Sequence, residues 1–137
     1  MPKKKNINRQ KGRQKSYKRL ADFKPEEVLP LTSSGAAPRE FVIRGEAFKV
    51  KMASARYSCF KKSLACVTCG IVGTKMILEL PPNTNIPHFN LYAVDDQQQL
   101  ILMTKDHIIP KSRGGKDSLR NFQTMCTICN CEKADKI

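Results

Sequence analysis

Apolar residues come in short, separated runs along this chain, and their spacing predicts a mixed α and β fold rather than a helical bundle. Residues 1–24 contain few side chains able to build a core and read as a disordered arm, or one that orders on binding. Pro25, Pro30, Ser33, Ser34, Gly35 and Pro38 punctuate the stretch that follows as linker or loop. Arg39–Arg44 has a β-favouring centre and predicts a strand. In residues 53–64, Tyr57, Phe60 and Leu64 recur at intervals of three and four, which is one face of a helix. Lys75–Leu80 predicts a strand closed by Pro81-Pro82. His88–Val94 and Leu100–Thr104 predict two more, joined by the polar stretch from Asp95-Asp96 as a hairpin. Residues 110–118 are a loop, and a short helix is expected within residues 119–137. The chain divides on this reading into an arm at 1–24, a linker with accessory strand and helix at 25–64, and a principal domain at 65–137.

Charge adds direction to this outline. The 137 residues include 25 Lys and Arg against 12 Asp and Glu, for a formal net charge of +13. Lys3, Lys4, Lys5, Arg9, Lys11, Arg13, Lys15, Lys18 and Arg19 supply nine of those charges, and removing them leaves +4 on residues 21–137. A basic arm of this kind favours a polyanion and gives salt-dependent affinity with little sequence preference. A solubility or localisation tail, or an arm for an acidic membrane surface, has the same composition. No apolar run approaches the ~20 residues of a membrane span, and no apolar segment follows the basic start as a secretory signal requires. An intracellular, cytoplasmic setting is therefore expected. In that reducing setting the six cysteines are better read as metal ligands than as disulfides.

The cysteines carry the first sharp motif. Cys66/Cys69 and Cys126/Cys129 form two Cys-x-x-Cys pairs separated by 56 residues. Two intervening residues let a tight turn aim two thiolates at one ion, and two such turns complete a closed tetrahedral site of four cysteines, the structural preference of Zn²⁺. Cys59 and Cys131 remain outside it and read as ordinary thiols. Between the pairs lies Asp106-His107-Ile-Ile-Pro-Lys-Ser-Arg-Gly114-Gly115, followed by Asn121, and Asn130 opens the terminal helix directly after a cysteine ligand. The carboxylate of Asp106 and the amide oxygen of Asn130 are hard donors suited to Mg²⁺ or Mn²⁺. A neutral imidazole at His107 can take a proton from water. Such a set can hydrolyse a phosphodiester. Taken singly, an Asp-His pair is an ordinary surface pair and an Asn at a helix start is a cap. The joint spacing between two cysteine knuckles is what distinguishes them. His88 reads as a packing or hydrogen-bonding residue.

These motifs, Asp106-His107-Ile-x-Pro-x-Ser-x-Gly-Gly, Asn121 and Cys-x-x-Cys-Asn-x-x-Lys, closely resemble the zinc-supported HNH endonucleases over residues 66–136, with Asn130 standing where other members carry a His. The resemblance implies a ββα-metal core; with the cysteine site and the basic start read above, the expected chain is α+β, a nuclease core with a structural zinc preceded by a flexible basic arm. It implies that His107 is the general base, that Asp106 and Asn130 bind the catalytic divalent ion, and that Asn121 holds the loop so that His107 is oriented. It further implies DNA cleavage that leaves a 3′-hydroxyl and a 5′-phosphate. One active site cuts one strand, so a monomer should nick, and a double-strand break needs a dimer or two visits. Lys105, Lys111, Arg113 and Lys133 are candidate phosphate contacts, which position a backbone without reading bases; Lys116 and Arg120 surround the same place. No membrane partner and no small-molecule cofactor is expected, while an oligomer or a directing protein partner stays open, as does a phage or bacterial setting. The rival readings are a non-catalytic zinc-knuckle protein that binds nucleic acid, an enzyme acting on RNA or a branched junction, and a zinc-held protein adaptor.

Overall fold

A computed structural model of the chain describes residues 17–134 and Lys136. Its elements run β1 (Lys18–Phe23), α1 (Pro25–Val28), β2 (Arg39–Ile43), β3 (Glu46–Val50), α2 (Ala55–Lys62), β4 (Gly73–Leu80), β5 (His88–Val94), β6 (Leu100–His107), β7 (Phe122–Cys126) and α3 (Thr127–Lys133). Five strands form one antiparallel sheet in the order β1-β4-β5-β6-β7, and β2 and β3 form a separate two-stranded ribbon. The mixed α+β class expected from the pattern is the one observed.

Strand alternation decides which side chains make the core. Met76 and Leu78 of β4 pair with Leu91 and Phe89 of β5. Together with Ala93, Ile101 and Met103 they face Val28, Val50, Met52, Tyr57 and Phe60, and all are buried. Each such side chain removed from water contributes about 1.5–3 kcal/mol. The intervening positions of β4 and β5, Ile77, Glu79, Asn90 and Tyr92, are buried as well, so the sheet is covered on both sides. Burial of the Glu79 carboxylate is tolerable because it is saturated. Oε1 accepts from Asn90 Nδ2 at 2.6 Å and from the Tyr92 hydroxyl at 2.7 Å, and Oε2 accepts from Arg19 Nε at 3.1 Å.

The strand at 39–44, the strands over 75–80 and 88–94 and the hairpin from β5 into β6 match the expectation, β5 to the residue. Asp95 Oδ1 accepts from the backbone N–H groups of Gln97 and Gln99, both at 2.9 Å, and so builds the turn of that hairpin. Other expectations are corrected. Within the stretch read as a disordered arm, Lys18–Phe23 is a strand, because its backbone completes the free edge of β4; residues 1–16 of the arm lie outside the described residues. The linker at 25–38 contains α1, entered through Pro25. The helix expected over 53–64 is shorter: Ser54 caps it by accepting from the Arg56 N–H at 3.1 Å, and Leu64 falls beyond its end. β3 and β7 lie outside the strands that the sequence pattern predicts. β3 returns from β2 through Arg44-Gly45, both at positive φ (51° and 82°), the geometry of a tight hairpin turn. No helix among the described residues is long and apolar enough to cross a membrane.

Candidate active site

The last third of the chain is a β6–loop–β7–α3 unit. β6 and β7 pair from Met103↔Cys126 to His107↔Phe122, and α3 packs on both. The two Cys-x-x-Cys turns meet at its base. The sulfur atoms of Cys66, Cys69, Cys126 and Cys129 all lie within 4.8 Å of one another. Gly70, at φ 81°, lets the first turn close, with its N–H donating to Cys66 O at 2.9 Å. Val67 N–H donates to Thr124 O at 3.0 Å, docking that turn onto β7. Cys126 is the last residue of β7 and the cap of α3, its Sγ accepting from the Cys129 N–H at 3.4 Å. Four converging sulfurs can hold one metal ion in a closed shell, the donor set that zinc prefers. Cys131 is exposed and outside this group, and Cys59 is buried beside Thr124.

The cysteine cluster fixes where α3 begins, and therefore which of its residues face β6. The helix starts at Thr127, so Asn130 lies inside it rather than opening it. Asn130 and Lys133, three residues apart, share one helical face; Thr104 and Asp106, two apart, share one face of β6. These two faces meet. Asn130 Nδ2 donates to Thr104 Oγ1 at 2.8 Å, and that hydroxyl donates to Met125 O at 2.7 Å. The amide is thereby fixed with Oδ1 as its ligand-capable atom. Asp106 is buried, with 6% of its surface exposed; its Oδ2 accepts from Gln123 Nε2 at 2.9 Å and lies 3.3 Å from Lys133 Nζ. Lys133 Nζ also donates to His107 O at 2.9 Å.

His107 ends β6. Its ring stands edge-on to Phe122, its cross-strand partner, with centroids 5.0 Å apart and planes at 88°. Lys105 Nζ lies 4.2 Å from the centroid of the same phenyl ring, as expected for residues two apart on one strand face. Nε2 of His107 is 2.6 Å from Asp117 Oδ1, and Lys111 Nζ is 2.9 Å from Asp117 Oδ2. Hydrogen bonds from His107 and then Lys111 hold the Asp117 carboxyl down to about 2. Asp106, His107 and Asn130, together with Lys105, Pro110, Lys111, Lys133 and Ala134, line one cleft of about 340 Å³. The three residues singled out from the sequence are thus brought together.

The loop between β6 and β7 is held by Asn121. Its Oδ1 accepts from the Ile109 N–H at 2.8 Å, and its Nδ2 donates to Ile109 O at 3.0 Å and Lys116 O at 2.9 Å. Its own carbonyl accepts from the Ile108 N–H at 2.8 Å. Gly115 sits so close to the start of the loop that a Cβ would come within 1.7 Å of Ile109 O. Arg113, Lys116 and Arg120 are exposed on this loop and do not line the cleft.

Three contributors were not picked out from the sequence. Thr104 and Gln123 carried a faint signal, as the positions two before Asp106 and directly across from it. Asp117 carried none, being one carboxylate in a basic loop.

Residues 95–137, which contain the whole β6–β7–α3 unit, match the protein-family model described as HNH endonuclease. Neither the curated proteins nor the solved structures returned a match.

Proposed function

We propose, from the membership of residues 95–137 in the HNH endonuclease family, that this chain is a metal-dependent DNA endonuclease whose centre is the cleft between β6 and α3. The observation that carries the reading is the pairing of a buried carboxylate, Asp106, with an amide whose nitrogen is already committed to Thr104. A buried carboxylate and a fixed amide oxygen are a hard donor pair lining one cleft, and they fit Mg²⁺ or Mn²⁺. The bound cation would supply positive charge for the phosphorane-like transition state and the leaving oxygen.

The chain's own residues do the rest. His107 takes the proton of a water molecule attacking phosphorus. Phe122 and Asp117 restrain its ring. Asn121 holds the loop that carries Asp117. Lys105 and Lys111 line the cleft and supply positive charge for a phosphate backbone, giving attraction without base readout. The four-cysteine cluster, loaded with zinc, clamps the Cys66–Cys69 turn to α3 and so keeps Asn130 opposite Thr104. One centre of this kind cuts one strand, so a monomer should nick, a double-strand break needs a dimer or two visits, and the ends should be 3′-hydroxyl and 5′-phosphate.

The test is a plasmid-nicking assay with Mg²⁺ at stated ionic strength, followed by sequencing of the ends, with His107→Ala as control. Wild type should nick and the variant should lose roughly 10²–10⁴ of the rate. Equal nicking by both would reject the reading, and salt-sensitive binding without cleavage would support a non-catalytic zinc-knuckle protein instead.

A further inference from the structure

A general base needs a nitrogen with an available lone pair, and His107 has two nitrogens. A neutral imidazole has one donor and one acceptor nitrogen, and the partner of one fixes the role of the other. Nε2 of His107 faces Asp117 Oδ1 at 2.6 Å. An ionised carboxylate can only accept, so the hydrogen of a neutral His107 must sit on Nε2, which leaves the lone pair on Nδ1. We propose that Asp117 is a positioning residue for His107: its carboxylate holds the ring in the Nε2–H tautomer and thereby makes Nδ1 the nitrogen that takes the proton. This rests on the endonuclease reading for its consequence, although not for the geometry.

Two features argue that Asp117 is placed rather than incidental. Its second oxygen is engaged too, by Lys111 Nζ at 2.9 Å, so the carboxylate is held from both sides. The backbone just before it is also tied, because Asn121 Nδ2 donates to Lys116 O at 2.9 Å. Asn121 therefore acts on His107 in two ways. It accepts the N–H of Ile108, the residue after His107, at 2.8 Å, and it anchors the segment that presents Asp117 to the ring. The loop sequence from Lys111 to Asn121 is then a device for delivering one carboxylate to one imidazole nitrogen.

The chain has only two histidines, so the proposal can be read directly. A two-bond proton–nitrogen correlation spectrum of ¹⁵N-labelled protein reports each tautomer at about pH 8.5, above the ordinary imidazole range. His88 is an internal reference: Arg56 Nη2 lies 3.2 Å from its Nδ1, and a guanidinium can only donate, so His88 is also an Nε2–H tautomer. In wild type His107 should show its hydrogen on Nε2. Asp117→Ala should move His107 toward a mixture or the Nδ1–H form while His88 stays unchanged, and should lower kcat for plasmid nicking roughly ten- to hundred-fold with KM nearly constant. Asp117→Asn keeps an oxygen acceptor and should preserve the tautomer and recover much of the lost rate. Asp117 is exposed, so neither change removes core packing.

An unchanged His107 spectrum in Asp117→Ala overturns the proposal, as does a loss confined to KM. If no variant and no wild type cuts DNA while the spectra follow Asp117 as expected, the positioning role stands and the endonuclease reading falls.

Discussion

The ammonium of Lys133 lies 3.3 Å from Asp106 Oδ2 and donates to the His107 carbonyl at 2.9 Å, with only 13% of its side chain exposed. A lysine so placed neutralises the carboxylate proposed to hold the catalytic cation. By its spacing from Asn130, Lys133 is a candidate phosphate contact; in the structure it is first a partner of Asp106. Cation and ammonium then compete for one oxygen. Lys133→Met, which keeps most of the volume, should bind Mn²⁺ more tightly by roughly tenfold, about 1.4 kcal/mol, in calorimetric titration of the purified chain. Equal or weaker Mn²⁺ binding would show that the ammonium does not stand in the way.

Gly115 is a tight point of the loop between β6 and β7. A methyl group there meets the Ile109 carbonyl at 1.7 Å, and backbone atoms cannot step aside as a flexible side chain does. Ile109 is the residue that Asn121 pins from both sides. Gly115→Ala should therefore open the loop and depress nicking as strongly as Asn121→Ala. Both should leave most of the thermal stability intact, because the loop is exposed and the core lies elsewhere. Full nicking by Gly115→Ala, measured beside its melting curve, would show that loop closure is not needed for the chemistry.

How far the sequence leads depends on the range of the interactions involved. β5 is legible because its apolar run is bounded by turn-forming residues. The cysteine pairs are legible because a tight turn imposes a local spacing. Asp106, His107 and Asn130 converge because that knuckle sets the phase of α3 against β6. What escaped depends on partners far along the chain. Lys18–Phe23 buries only Leu20, so nothing in its pattern separates it from the charged arm; its order comes from pairing with β4, some sixty residues away. Phe122–Cys126 is a strand because it lies against β6, and its cysteine disguised it as part of a knuckle. Asp117 reaches His107 only through a loop closed by Gly115 and Asn121, and no spacing rule records that closure.

The cysteine cluster is expected to be structural. It joins the Cys66–Cys69 turn to the junction of β7 and α3, and its ligands must be thiolates, so metal binding and folding are coupled there. Purified protein should carry one zinc ion per chain, and chelation should lower the melting temperature and abolish nicking together. Cys129→Ser should reproduce both effects even when Mg²⁺ is saturating. Retention of a full equivalent of zinc and an unchanged melting temperature in Cys129→Ser would show that the cluster is not the clamp.

Stability should also depend on pH through His88. Its imidazole is half-buried, and burial first, then the adjacent Arg56 guanidinium, push its pKa below the ordinary value. The unfolded chain then binds a proton on this residue before the folded chain does, so stability rises with pH across this window. The contribution is complete above about pH 7.5 and is lost as pH falls through the unfolded value near 6.5 toward the lower folded one. The melting temperature should drop between about pH 7.5 and 5.5. His88→Gln, which offers an acceptor to Arg56 without a titrating ring, should flatten that segment of the profile. An identical slope in wild type and His88→Gln would assign the acid sensitivity to other groups.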